Sequence, residues 1–186
     1  MAFTVRVLCL GNELLADDAF GNAVAEQLRL LFPASLDVVE TPVSGFALID
    51  YLPNVSCLLV VDTVQTGKAA PGTIHLVREG DIKSVSGCSP HYVGLFETLE
   101  LARKLLPSVP QEVIILAVEA ADCTTLGGAM HPAVQAAVPV ALDLVREITQ
   151  RCAPVHSGRE PQPSEAVRVS IEAVVARFGR ERFVVI

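Results

Sequence analysis

Three short runs of almost continuous hydrophobic residues place the strongest constraint on how this chain folds. They cover residues 4–10, 57–61 and 112–118. Runs of this length without polar alternation are typical of strands that are covered on both faces, as in parallel sheets. Two further strand-like runs cover residues 36–40 and 73–77. The sequence therefore predicts a central sheet with a layer of structure on each side.

Longer segments between these runs have apolar residues at helical spacing. They are residues 22–31, 46–52, 94–106 and 131–151. The alternation predicts an α/β fold, a three-layer α/β/α arrangement around a mostly parallel twisted sheet of about five strands. The connection between the runs 57–61 and 73–77 is rich in glycine and proline and holds no crossover helix, so the run 73–77 is predicted to be an antiparallel edge strand.

The chain is expected to form one main domain, because 186 residues are enough for a single well-buried core. We assign residues 1–152 to this α/β domain. Residues 153–164 concentrate proline, glycine, serine and charge, and are predicted to be a linker. Residues 165–186 are predicted to form an accessory helix and a short strand that pack on the sheet or on a second copy. We expect this tail to be dispensable for chemistry.

Composition excludes several classes of protein. Hydrophobic residues make up 51% of the chain and charged residues 19%, which argues against disorder. The formal net charge of −7 disfavours nucleic acid and anionic membranes as partners. No apolar run approaches the roughly 20 residues of a spanning helix, and no secretory signal pattern is present. We therefore expect a cytoplasmic protein.

Five cysteines form neither a CxxC pair nor a zinc-ribbon spacing. Cys9 and Cys57 fall inside apolar runs, where cysteine behaves as a small hydrophobic residue. Most of the five are therefore predicted to be buried free thiols. Cys88 lies in a loop of glycine and serine near a histidine, which leaves a redox or ligand role open for it.

The most informative segment is Gly-Asn-Glu-Leu-Leu-Ala-Asp-Asp-Ala-Phe-Gly at residues 11–21, between the first strand and the first helix. Ligand sites of open α/β sheets lie beyond the carboxyl ends of the strands, where this loop is expected. Carboxylates at Glu13, Asp17 and Asp18 would repel a phosphate and suit a cation. The alternative role for Asp17 and Asp18 is to cap the first helix.

Two further residues are expected near this loop. Asp62 ends the run 57–61, and His91 follows Ser-Pro just before a predicted helix. Either residue alone fits a cap or a turn. Taken together, Asp18, Asp62 and His91 make a plausible partial site for zinc or nickel, with positions left open for substrate or water. The remaining histidines are not expected to be ligands: His75, His131 and His156.

Four segments together resemble the nickel-iron hydrogenase maturation endopeptidases. They read GNELLADDAFG, VVDTVQTG followed by APGT, SPHYVGLFETL and HPAVQAAVPVALDLV, and they fall within residues 4–150. The resemblance implies a cytoplasmic enzyme that removes a C-terminal peptide from a hydrogenase large-subunit precursor after nickel has been inserted. By position, Asp18, Asp62 and His91 match the family's ligands and would serve both catalysis and metal recognition. Nickel would be carried mainly by the substrate, and other divalent cations can occupy the site.

The chain departs from the family pattern at three places. Cys9-Leu10 precede Gly11-Asn12 where the family reads Gly-x-Gly-Asn, and Ala19 stands where a glycine is common. Residues 40–45, Glu-Thr-Pro-Val-Ser-Gly, replace the pattern Asp-Gly-Gly-Thr-x-Gly in the loop after the second strand. Substrate recognition through that loop is therefore expected to differ, while the set of matched ligands is intact.

Two other functions fit the same residues. One is a self-sufficient metal-dependent hydrolase that carries its own zinc, and the other is a non-enzymatic, nickel-sensing binding module. Water for hydrolysis could be activated by a metal or by a carboxylate such as Asp17 or Asp18. Ser44 and Ser89 lie in loops, but neither lies in a nucleophile elbow.

Overall fold

The computed structural model describes residues 4–32, 36–78, 95–152 and 183–185. Its strands are β1 (Val5–Leu10), β2 (Asp37–Thr41), β3 (Cys57–Val64), β4 (Ile74–Arg78), β5 (Glu112–Glu119) and β6 (Phe183–Val185). Its α-helices are α1 (Phe20–Leu31), α2 (Leu95–Leu105) and α3 (Pro132–Cys152). Two 3-10 helices lie at Ala16–Ala19 and Gly45–Tyr51. In the described part of the chain, no helix is long and apolar enough to cross a membrane.

The strands form one sheet in the order β2-β1-β3-β5-β4-β6. The pairs β2-β1, β1-β3 and β3-β5 are parallel, whereas β4 runs antiparallel to β5. The predicted three-layer, mostly parallel fold and the antiparallel direction of β4 are therefore confirmed. The sheet has six strands rather than about five, because β6 pairs in parallel with β4 and takes the edge position predicted for β4. The predicted linker and accessory helix, residues 153–164 and 165–178, lie outside the described residues.

Strand alternation divides the core into two layers, because successive side chains of a strand point to opposite faces of the sheet. On one face, Leu59 and Val61 of β3 pack with the apolar sides of α1 and α3. On the other face, Leu58 and Val60 pack with α2 and with the 3-10 helix Gly45–Tyr51. Every residue of β3 is buried, which explains why its sequence has no polar face.

The thiols of the described cysteines are free, and most are buried as predicted. Cys9 and Cys57 are fully buried in β1 and β3. Cys57 Sγ lies 3.0 Å from Cys152 Sγ at the end of α3, so the thiol pair joins the α3 layer to the start of β3. Burial raises the pKa of the Cys9 thiol to about 12, so this thiol stays protonated at neutral pH. Cys88 lies outside the described residues.

The topology predicts a crevice beside β1. The chain leaves β1 toward β2 on one side, while β3 lies on the other side, and open α/β sheets form their ligand crevice at such a change of direction, beyond the carboxyl ends of the strands. The loop between β1 and α1 starts at this crevice. The fold therefore brings the loop that contains Asp18 next to the end of the strand that contains Asp62.

Close packing of α1 on β1 predicts the effect of one substitution. A Cβ atom on Gly21, in the first turn of α1, would lie 1.9 Å from the carbonyl oxygen of Leu10. We expect Gly21→Ala to lower the free energy of unfolding by about 1–3 kcal/mol, because the overlap outweighs the better helix propensity of alanine. Urea denaturation measures this change. The exposed neighbour Gln27→Ala should change stability by less than about 0.5 kcal/mol, and equal stability of the two variants would contradict the close packing.

Candidate active site

The site lies where the loop after β1 meets the end of β3. Asp18 belongs to the 3-10 helix Ala16–Ala19 and is 3% exposed, and Asp62 on β3 is fully buried. The sequence placed Asp62 at the end of its strand, but β3 continues to Val64 because Thr63 and Val64 still pair with β5. Asp62 therefore lies inside the sheet ladder, where its backbone is fixed on the β5 side.

Both oxygens of Asp18 accept hydrogen bonds. The backbone N–H of Asn12 donates to Asp18 Oδ2 at 2.9 Å, and the hydroxyl of Thr63 donates to Asp18 Oδ1 at 3.1 Å. The first bond depends on Gly11, which has a φ of +151° and whose Cβ, if present, would lie 2.2 Å from the carbonyl oxygen of Asp18. A glycine is thus required at position 11. The loop and β3 together fix the Asp18 carboxylate.

Thr63 connects the two acidic residues. Its backbone N–H donates to Asp62 Oδ1 at 2.7 Å, and its hydroxyl donates to Asp18. By alternation, Asp62 shares a face of the sheet with Val60, and Thr63 shares the opposite face with Val61. The two carboxylates therefore approach β3 from different sides, and Thr63 is bonded to both.

Asp17 has a structural role that the sequence did not reveal. Its Oδ2 accepts the N–H groups of Ala121 and Asp122 at 2.8 and 3.0 Å, and its Oδ1 accepts the N–H of His131, which directly precedes α3. The N-cap residue of α1, Ala19, makes no side-chain cap, and the side chain of Asp17 is bonded to the segment before α3, so the capping role predicted for Asp17 at α1 is wrong. Capping by Asp18 stays a prediction.

The acidic residues around Cys123 affect the pKa of its thiol. Its Sγ lies 3.7 Å from the Thr63 hydroxyl oxygen. Partial burial, followed by the charges of Asp18, Asp17 and Asp62, raises the pKa of the Cys123 thiol to about 11, while the contact with Thr63 opposes the shift. Because all three carboxylates act on one sulfur, they belong to one electrostatic environment. Cys123 was not singled out by the sequence pattern.

A fourth buried carboxylate, Glu119 at the end of β5, fixes the loop after β3. Glu119 Oε1 accepts the N–H groups of Thr66 and Gly67 at 2.8 and 2.9 Å. Its Oε2 accepts the Thr66 hydroxyl at 2.7 Å and lies 2.9 Å from His75 Nε2. His75, which was not expected to be a ligand, is thus paired with an acid in the core. The hydrogen bonds of Glu119 therefore fix the segment that follows Asp62 and the end of β3.

The departures from the family pattern have local explanations. Cys9 is buried in the core, so a side chain fits at this position, and Ala19 has a φ of −67° that needs no glycine. The segment 40–45 begins within β2, where Glu40 pairs with Cys9 in the ladder and its side chain is bonded to Asn22 and Arg29. The hydrogen bond from Asn22, together with Arg29, lowers the pKa of the Glu40 carboxyl. Glu40 thus secures β2 to α1.

His91 lies outside the described residues, so its predicted place beside Asp18 and Asp62 stays a prediction. The helix that follows it is described. Thr98 Oγ1 of α2 donates to the carbonyl oxygen of Gly45 at 3.2 Å, and Gly45 follows the carboxyl end of β2. The first half of α2 therefore lies at the same edge of the sheet as the crevice. Within the described residues, no three histidine, cysteine, aspartate or glutamate side chains are grouped so as to hold a metal ion.

The raised pKa of Cys123 predicts slow alkylation in the native protein. At pH 8 the reactive thiolate is a small fraction, and it increases about tenfold per pH unit up to a pKa of about 11. Peptide mass mapping after iodoacetamide treatment measures the extent of alkylation at Cys123 separately from that at the other cysteines. Asp18→Asn should accelerate labelling, because it removes one of the charges that oppose thiolate formation. Unchanged labelling in Asp18→Asn would contradict the electrostatic coupling.

Comparisons with known proteins agree with this architecture. The family model for hydrogenase maturation proteases, HycI, matches residues 23–148, a span that contains Asp62 and His91 and begins after Asp18. The hydrogenase expression/formation protein HupM of Azotobacter chroococcum is 31% identical over 143 residues, which cover 74% of this chain and 68% of that protein. The hydrogenase 2 maturation protease of Escherichia coli is 28% identical over 88% of this chain and 98% of its own length.

A solved structure extends the comparison to the fold. The hydrogenase maturating endopeptidase HybD from E. coli superposes with a TM-score of 0.66 at 26% identity, covering 77% of this chain and 90% of that one. The family model spans more than half of the chain, and the sequence and structural relatives agree. The chain therefore belongs to the hydrogenase maturation protease family and is a hydrolase that acts on peptide bonds.

Proposed function

We propose that this protein removes a C-terminal peptide from a hydrogenase large-subunit precursor and that Asp18, Asp62 and His91 recognise nickel already seated in that precursor. The observation that supports this most strongly is the pair of buried carboxylates, Asp18 and Asp62, bonded to Thr63 at the crevice between β1 and β3. The membership of the hydrogenase maturation protease family supplies the class of reaction.

The buried carboxylates favour a cation as the species recognised. An isolated buried charge is costly, and each of these carboxylates is compensated by hydrogen bonds from the protein. Hydrogen-bond donors orient a carboxylate, and its negative charge attracts a cation. Oxygen and imidazole ligands suit nickel, and thiolates of the substrate would complete its coordination.

The fold makes His91 a reasonable third ligand. It precedes Leu95, the first residue of α2, by four residues, and four extended residues span at most roughly 14 Å. The first half of α2 contacts Gly45 at the carboxyl edge of the sheet. Alternation also points Asp62 toward the face on which α2 packs. These distances and the side on which Asp62 lies support including His91 in the proposal as the third ligand.

Hydrolysis of the peptide bond needs a polarised carbonyl and an activated water. Nickel held by the precursor supplies Lewis acidity at the bond to be cut. On this proposal Asp18, Asp62 and His91 orient the metal and hold the loaded precursor in register. Asp17 is unsuited to act as the general base, because three backbone N–H groups occupy its two oxygens. We assign that role to Asp18, because Thr63 links it to Asp62 at the proposed site of the metal.

Cleavage of matched precursors, with and without nickel, tests the proposal. We expect the wild-type protein to shorten the nickel-loaded precursor and to leave the nickel-free form intact, with loss of the C-terminal peptide followed by mass spectrometry. Asp62→Asn keeps the shape of the side chain but removes its charge, and His91→Ala removes the imidazole. Each should lower the cleavage rate at least about a hundredfold, as expected for loss of a group that acts at the reacting centre.

Asp143→Asn is the matched control. Asp143 lies on α3 and pairs with Arg146 at the surface, at 3.1 Å, so its loss should leave cleavage unchanged. Equal cleavage of the nickel-loaded and nickel-free precursors would overturn nickel recognition. If that result came with stoichiometric zinc bound to the purified protein, it would favour the self-sufficient hydrolase, and binding without cleavage would favour the non-enzymatic module.

A further inference from the structure

We propose that Thr63 is a positioning residue that sets the relative placement of the Asp18 and Asp62 carboxylates. This inference rests on the proposed function of these two residues. Thr63 is 1% exposed, so solvent does not compete with it as a hydrogen-bond partner of either acid. Its hydroxyl and its backbone N–H are bonded to different carboxylates.

The hydrogen-bond directions follow from the chemistry of the three groups. A carboxylate accepts only, so the single hydroxyl proton of Thr63 is donated to Asp18 Oδ1 at 3.1 Å. The hydroxyl oxygen can then accept from the thiol of Cys123, whose Sγ is 3.7 Å away.

The position of the Thr63 hydroxyl is fixed by the sheet. Thr63 pairs with Val118 in the parallel ladder between β3 and β5, and Asp62 pairs with Ala117. A β-branched residue on a strand has few accessible χ1 rotamers. The backbone of β3 therefore holds the hydroxyl on one side of the strand, while the N–H of the same residue restrains Asp62 Oδ1. Movement of either acid would break a bond to Thr63.

Thr63→Val tests this role because it keeps the β-branched shape and removes the hydroxyl. We expect kcat for cleavage of the nickel-loaded precursor to fall by about 10–100-fold, the range typical when an outer partner of a metal ligand is lost. Thr63→Ser keeps the donor and should retain kcat within about threefold of the wild type.

A second pair of variants keeps the test decisive if Thr63→Val does not fold. Thr63→Ala also lacks the donor, so its kcat is compared with that of Thr63→Ser in folded protein. Thr149→Val is the matched control, because Thr149 is buried on α3, away from the crevice, and donates its hydroxyl to the Val145 carbonyl oxygen at 2.7 Å. Its kcat should equal that of the wild type.

The outcomes separate this inference from the proposed function. Wild-type kcat in folded Thr63→Val or Thr63→Ala, with inactive Asp62→Asn, would overturn the positioning role and leave the function standing. Full activity of Asp62→Asn would overturn the function itself. A loss of kcat that Thr63→Ser does not restore would also contradict the role assigned to the hydroxyl.

Discussion

The parallel pairing of β1 with β3 is the constraint on which the site depends. It aligns Val5–Cys9 with Cys57–Val61, so the loop that follows β1 and the last residues of β3 meet at one edge of the sheet. Hydrophobic burial on both faces enforces this alignment, because a shift by one residue would exchange the side chains of the two core layers. The placement of Asp18 beside Thr63 is thus a consequence of core packing rather than of the loop alone.

Buried acids perform two different tasks around this edge. Asp17 and Glu119 are saturated by backbone and side-chain donors, and they fasten the loops before α3 and after β3. Asp18 and Asp62 are bonded to Thr63 at the crevice, where a substrate-borne cation is proposed to approach. Asp17 and Glu119 therefore stabilise the loops around the pair that is proposed to recognise the metal, Asp18 and Asp62.

Hydrophobic periodicity predicted most of the fold, because burial on one or both faces leaves a direct record in the sequence. The runs 57–61 and 112–118 became β3 and β5 within three residues at each end. The outer position of β6 was harder to predict from the sequence, because the pairing of β6 with β4 depends on tertiary contacts. Glu119 had the same signal as Asp62, an acid at the end of a buried run, and could have been found. The role of Thr63 needed knowledge of which loop packs against it.

The coordination of nickel in the complex of enzyme and loaded precursor tests the central claim most directly. Nickel K-edge X-ray absorption on a rapidly frozen mixture reports which atoms surround the metal. The account predicts that wild-type enzyme adds oxygen or nitrogen neighbours to the thiolate shell of the precursor, and that Asp18→Asn and Asp62→Asn each reduce this addition. A nickel shell that is identical in the free precursor and in the wild-type complex would contradict recognition of the metal by these residues.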